Sequence, residues 1–138
     1  MQTDDVIDLA RRLVAIESVN PTLVPGGSGE HEIARFVERW AADNGLASRV
    51  IPSPDGRPNL VIGPPAEGGG APADGAGGEA GADRTPVLML YGHLDTVGLG
   101  SMVAPLEPRI DGDRLLGRGA YDQKAGLAAA LVAAREAA

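Results

Sequence analysis

Tyr91-Gly92-His93-Leu94-Asp95-Thr96-Val97 and Gly117-Arg118-Gly119-Ala120-Tyr121-Asp122-Gln123-Lys124 decide how this chain is read. The first stretch closes an apolar run, Pro86 to Tyr91, of strand length. A continuous run of that kind fits a strand buried on both faces, as in the sheet of an α/β protein. His93 and Asp95 are two residues apart, so persisting strand geometry puts both side chains on the same side, at the carboxyl end of the strand. That end is where open α/β sheets bind their ligands. The second stretch is a Gly-rich turn that lets the backbone bend sharply and delivers Asp122 to the start of a helix rich in Ala, Leu and Val. An imidazole and two carboxylates at neighbouring ends of secondary structure are the donors of a carboxylate-rich zinc site. Taken singly, each motif has a plainer reading. His93-x-Asp95 is a polar strand end making turn hydrogen bonds, and Asp122 is a helix N-cap.

Outward from these motifs the chain alternates helices and short strands. Thr3 is placed to cap a helix whose first turn carries Asp4 and Asp5, favourably for the helix dipole. Val6, Leu9, Leu13 and Ile16 recur at helical spacing, and Asn20-Pro21 ends that pattern. A Gly-rich loop reaches Gly29, and a second helix is expected from about Glu30 to Asn44, with Ile33, Phe36, Val37 and Trp40 on one face and Gly45 beyond its end. Ala47 to Ile51 and Asn59 to Ile62 read as strands joined by the turn Pro54-Asp55-Gly56. Pro108 to Ile110 and Arg114 to Leu116 flank Asp111-Gly112-Asp113 as a hairpin. Asp122 then caps a helix running to the C-terminus. From Pro64 to Arg84 the composition is almost wholly Gly, Ala, Pro, Asp and Glu, which buries too little surface to offset the entropy of ordering. Residues 64–85 are therefore expected to be a flexible low-complexity insertion between strands, with a partner-binding loop as the functional alternative. Helices on either side of short buried strands predict an α/β layered domain.

A chain of 138 residues with 43% hydrophobic content fits one domain with a modest aliphatic core, since only 3% is aromatic. The net charge of -7 and scattered cations argue against a nucleic-acid surface, which would show a basic stripe. No apolar run approaches the ~20 residues that cross a bilayer. The acidic N-terminus is unlike a secretory signal, and with no cysteine there are neither disulfides nor thiolate ligands. A soluble, cytoplasmic protein is the expectation.

The two motifs, in this order and at this separation, resemble the N-terminal signatures of the M20 zinc metallopeptidases. Ser18-Val19-Asn20-Pro21 and Gly29-Glu30 are similar to that family's N-terminal pattern, especially in its acetylornithine deacetylase and succinyl-diaminopimelate desuccinylase branch. The resemblance spans nearly the whole chain outside the insertion. It implies a three-layer α/β/α zinc-peptidase-like catalytic domain, of which residues 1–138 would be an N-terminal part, incomplete and lacking the inserted dimerisation (lid) domain. It implies two Zn2+ per complete site, with Co2+ as a substitute. His93 would bind one ion, Asp122 would bridge both, and Asp95 would be the catalytic acid that tunes the general base or holds His93. Gln123 stands where the family usually has Met, and Ala125 where it usually has Gly, beside a peptide that is often cis.

The activity implied is hydrolysis of the amide bond of N-acyl amino acids or small peptides by a dizinc-activated water, with a glutamate base passing the proton to the leaving amine. The family's Glu-Glu pair, further carboxylate and final His have no counterpart after Asp122, where Glu136 is the only Glu. The chain is therefore expected to be a truncated and inactive portion of a hydrolase that is a homodimer at full length. The alternative is a non-catalytic remnant that binds a partner through an unfinished sheet edge. His31 is expected to be a solvated surface residue. Arg118 and Lys124 are expected to make structural or substrate ion pairs and not to be catalytic.

Overall fold

The structure is a computed structural model that describes residues 3–64 and 88–138. Helix α1 spans Thr3–Val14 and helix α2 His31–Asp43; strands β1 (Ala47–Pro52) and β2 (Pro58–Gly63) follow. Strands β3 (Arg109–Asp111) and β4 (Arg114–Leu116) precede a π-type turn at Ala120–Lys124 and helix α3 at Ala125–Ala137. The core forms where the apolar stripes of the three helices meet: Leu9, Ala10 and Leu13 of α1, Ile33, Val37 and Trp40 of α2, and Ala128, Leu131 and Val132 of α3. Helix α1 packs on α3, and α2 covers the β1–β2 hairpin. Arg12 of α1 also lies over the Phe36 ring, 4.9 Å from its centroid.

Element by element, the expected order stands with three differences. Helix α1 ends at Val14, well before Asn20-Pro21, and Ile16 packs on the core from beyond the helix. The reason is a competing pairing. Thr96 N donates to Ser18 O (2.8 Å) and Asn20 N to Thr96 O (2.9 Å), a parallel bridge that takes residues 18–20 out of helical conformation. Thr3 is the first residue of the helix, one position inside the expected cap. Helix α2 matches its expected span within a residue, and Gly45 takes the left-handed conformation (φ 73°) that ends it.

The second difference concerns the run expected to be a buried strand. Leu88 to Tyr91 pair with no strand among the described residues and are exposed, Tyr91 at 87%. A strand buried on both faces needs neighbouring strands and covering layers, and among the described residues no strand pairs with it. Pro86 and Val87, like insertion residues 65–85, lie outside the described residues. Among the described residues the strands form two separate antiparallel hairpins, β1–β2 and β3–β4, a mixed α/β arrangement. Each register follows its turn: Pro52 faces Pro58 across Ser53–Arg57, and Asp111 faces Arg114 across Gly112-Asp113 with Gly112 at φ 60°.

The third difference is local. Asp122 does not cap α3. It sits inside the π-type turn with extended backbone angles (φ -124°, ψ 94°), Lys124 occupies the cap position, and no side chain caps the helix. The Asp122–Gln123 peptide bond is cis.

Candidate metal centre

Two loops build the site. The segment after Tyr91 carries His93 and Asp95, and the Gly117–Lys124 turn carries Asp122. Gly119, at φ 77°, lets the turn pass so close to the first segment that a Cβ there would lie 2.6 Å from Thr96 Cγ2. The Gln123 side chain ties the two together: its Oε1 accepts from His93 N at 2.8 Å. Gln123 therefore pins the main chain that carries the imidazole.

The imidazole lies between two acids. His93 Nε2 is 2.9 Å from Asp122 Oδ1. His93 Nδ1 is 3.0 Å from the Asp95 main-chain oxygen and 3.3 Å from its Oδ1. The three residues differ in exposure: the Asp122 side chain is 77% exposed, His93 35% and Asp95 22%. Burial pulls the His93 pKa down, but the hydrogen bond to Asp122, aided by Asp95, outweighs it and holds the pKa above the ordinary 6.5. Either ring nitrogen can donate to its acid neighbour when it carries a proton.

The donor chemistry of His93 and Asp122 fits a divalent metal. Two donors on one tetrahedral zinc lie about 3.3 Å apart for bonds of about 2.0–2.2 Å. The observed 2.9 Å needs only a small opening, which the exposed Asp122 side chain permits. Asp95 lies on the opposite ring nitrogen and does not face the same point. Accordingly, among the described residues no group of three or more His, Cys, Asp or Glu is arranged to hold a metal ion. Beside the pair, Thr96, Val97, Met102, Tyr121 and Asp122 line a cleft of about 330 Å3.

The remaining sequence candidates lie away from this pair. His31 is exposed at the start of α2. The Lys124 side chain is fully buried, 1% exposed, and its Nζ donates to Ile16 O at 2.6 Å, turned from the site toward the end of α1. Arg118 Nη2 donates to Leu99 O at 3.0 Å. Residues that reading the sequence left without a role are Asn20, Glu30, Arg57 and Gln123. Asn20 Nδ2 donates to Asp95 Oδ2 at 2.7 Å, and Arg57 Nη2 lies 3.6 Å from the same oxygen. The signal for Asn20 and Glu30 was their place in family-like patterns; nothing local marked Arg57.

A mixed α/β fold with a His–carboxylate pair between two Gly-containing loops describes a class of site. The comparisons with known proteins narrow it. Residues 89–138, which contain the whole His93–Asp122 pair, match the profile of peptidase family M20/M25/M40. A protein of Aeropyrum pernix described as a LysW-lysine/LysW-ornithine hydrolase is 36% identical over 108 residues, 78% of this chain. Those residues are 23% of the relative, so the chain spans less than a quarter of its length. Both matches support the M20 family without separating its branches.

Proposed function

We propose that the chain contributes part of the metal centre of a metal-dependent M20 hydrolase, with the deacetylase/desuccinylase branch as the nearest in kind. The reading includes the family's three-layer catalytic domain, two zinc ions per complete site, and N-acyl amino acids or small peptides as substrates. A soluble, cytoplasmic location and a homodimer for a longer polypeptide belong to the same proposal. Among the described residues, no helix is long and apolar enough to cross a membrane.

The observation that carries it is the approach of His93 Nε2 to Asp122 Oδ1 at 2.9 Å, made by two sequence motifs 29 residues apart. His93 supplies a neutral nitrogen donor once its Nε2 proton leaves. Asp122 has a second carboxylate oxygen free to reach another ion, which suits it to a bridging role. Asp95 holds the far side of the imidazole and keeps Nε2 aimed at Asp122. When bound, divalent metal would polarise an amide carbonyl and lower the pKa of a water. Two donor residues are fewer than the four typical of a zinc site, so we assign no turnover to these residues alone.

The test is zinc titration of the protein by calorimetry, with cobalt absorption as a second readout. Wild-type protein is expected to bind metal with His93 as a ligand, and His93→Ala and Asp122→Asn each to abolish or severely weaken it. Equal affinity in all three proteins would sink the proposal. The exposed run Leu88, Met89, Leu90 and Tyr91 favours a second reading, a non-catalytic module that pairs through this apolar segment. A specific, metal-independent complex formed through these residues would support it.

A further inference from the structure

Asp95 faces a cluster of polar groups on the side away from the His93–Asp122 pair, and those groups come from distant parts of the chain. Asn20 Nδ2 donates to Asp95 Oδ2 at 2.7 Å. The orientation of this amide follows from its other contacts: Asn20 Oδ1 accepts from Thr22 N (2.9 Å) and from Thr22 Oγ1 (2.6 Å). With the oxygen so engaged, the NH2 group must face Asp95. The main chain is held to match, since Thr96 N bonds Ser18 O and Asn20 N bonds Thr96 O. Asn20 is 7% exposed, so this contact is shielded from water.

Arg57 adds a charge. It ends the β1–β2 loop, where Gly56 at φ 77° and the Ser53 N to Arg57 O bond (3.0 Å) close the turn. Its guanidinium meets Glu30, which is 3% exposed: Nε lies 3.2 and 3.1 Å from the two carboxylate oxygens, and Nη2 bonds Oε1. A fork held this way has little rotational freedom. It places Nη2 3.6 Å from Asp95 Oδ2. The result is a continuous line of contacts, Glu30–Arg57–Asp95–His93–Asp122, with Asn20 joining at Asp95.

We propose that Asn20 and the Glu30-clamped Arg57 are positioning residues for His93, acting through Asp95. This rests on the metal-site reading above. Asp95 Oδ2 is engaged by Asn20 and Arg57, so Oδ1 is left for His93 Nδ1, alongside the Asp95 carbonyl. The Nδ1 proton is thereby fixed, and Nε2 is left as the nitrogen that gives up its proton to a metal beside Asp122. Partners that orient a ligating histidine in this way typically change metal affinity by about 10- to 100-fold.

The test compares wild type with Asn20→Ala, Arg57→Lys and the double variant Glu30→Gln/Arg57→Gln. The double variant avoids stranding Glu30 as a buried unpaired charge. Long-range 1H–15N spectra of the metal-free proteins, taken with the ring neutral, report which nitrogen of His93 carries the proton. Zinc titration reports affinity. Asn20→Ala and the double variant should lose the single Nδ1–H signature and bind zinc about 10- to 100-fold more weakly. Arg57→Lys, which keeps a cation between Glu30 and Asp95, should recover part of both. A purely structural role would lower thermal stability and leave the ring signature of the folded protein unchanged, and that result overturns the proposal. Should the double variant not fold, Asn20→Ala and Arg57→Lys decide the matter by the same criterion. Wild-type protein that shows the Nδ1–H signature but binds no zinc at His93 would overturn the metal reading and leave the network standing. Loss of the signature in wild type would overturn the network.

Discussion

Among the residues of the Gly117–Lys124 turn and the segment it approaches, the fold shifts His93 and Lys124 in opposite directions. His93 has its pKa raised by Asp122 and Asp95 against the opposing effect of burial. Its charged form is favoured by folding, so its contribution to stability is complete below about pH 6.5 and is lost as pH rises through the folded value. With the side chain 35% exposed, solvent screening keeps that contribution below about 1 kcal/mol, a difference readable by urea denaturation of wild type against His93→Gln. A bound metal must displace the Nε2 proton. Zinc affinity should therefore fall about tenfold per pH unit on the acid side of the His93 pKa, measured by calorimetry at stepped pH. Lys124, the only lysine in the chain, is pushed down to about 8 by burial, opposed by Glu17. Its penalty is present below pH 8 and is relieved as pH rises toward 10.5, so stability from this group should increase by at most about 3 kcal/mol across that window. Lys124→Met should flatten that rise. Neither shift was legible locally: the pattern marked His93 as a donor, but the burial of Lys124 depends on Ile16, 108 residues away.

The Gly117–Lys124 turn and the loop ends set the site at the scale of elements. Gly119→Ala would force a Cβ to 2.6 Å from Thr96 Cγ2 and would hold an L-residue at φ 77°. Strain of this kind costs about 1–3 kcal/mol before the clash is counted. The variant is expected to lose at least about 2 kcal/mol in denaturant melts and to bind zinc less tightly, because the turn must move Asp122 away from His93. A variant as stable as wild type would show that the close approach is not required. The two hairpins were readable from their turn residues, the first also from its Val, Ile and Leu content, and α2 from its stripe and its terminal Gly45. The end of α1 was not, because the hydrophobic period continues to Ile16 while the competing bridge to Thr96 comes from a segment far along the chain. The role of Asp122 was also only half legible. An Asp before an Ala-rich helix looks like a cap, and only the path of the turn shows that it faces His93 instead.

At the scale of the whole molecule, the described helical core is well covered while the apolar segment Leu88 to Tyr91 is not. Leu88, Met89 and Tyr91 are each more than 80% exposed, beside a core whose residues are almost fully buried. An unpaired apolar extended segment promotes pairing with another chain. The protein is expected to self-associate as concentration rises, and Leu88→Lys/Tyr91→Lys to reduce that association in sedimentation velocity experiments without changing the melting of the helical core. The amino-acid sequence by itself determined the order of helices and hairpins, because hydrophobic period and turn residues act over a few neighbours. It also determined which imidazole and carboxylates are candidates, since His93, Asp95 and Asp122 stand in recognisable motifs. Only the tertiary structure decided that Asp95 and Asp122 take opposite nitrogens of one ring, and that Asn20, Glu30 and Arg57 stand behind Asp95. Those relations depend on contacts between segments dozens of residues apart, which packing creates and no local pattern encodes.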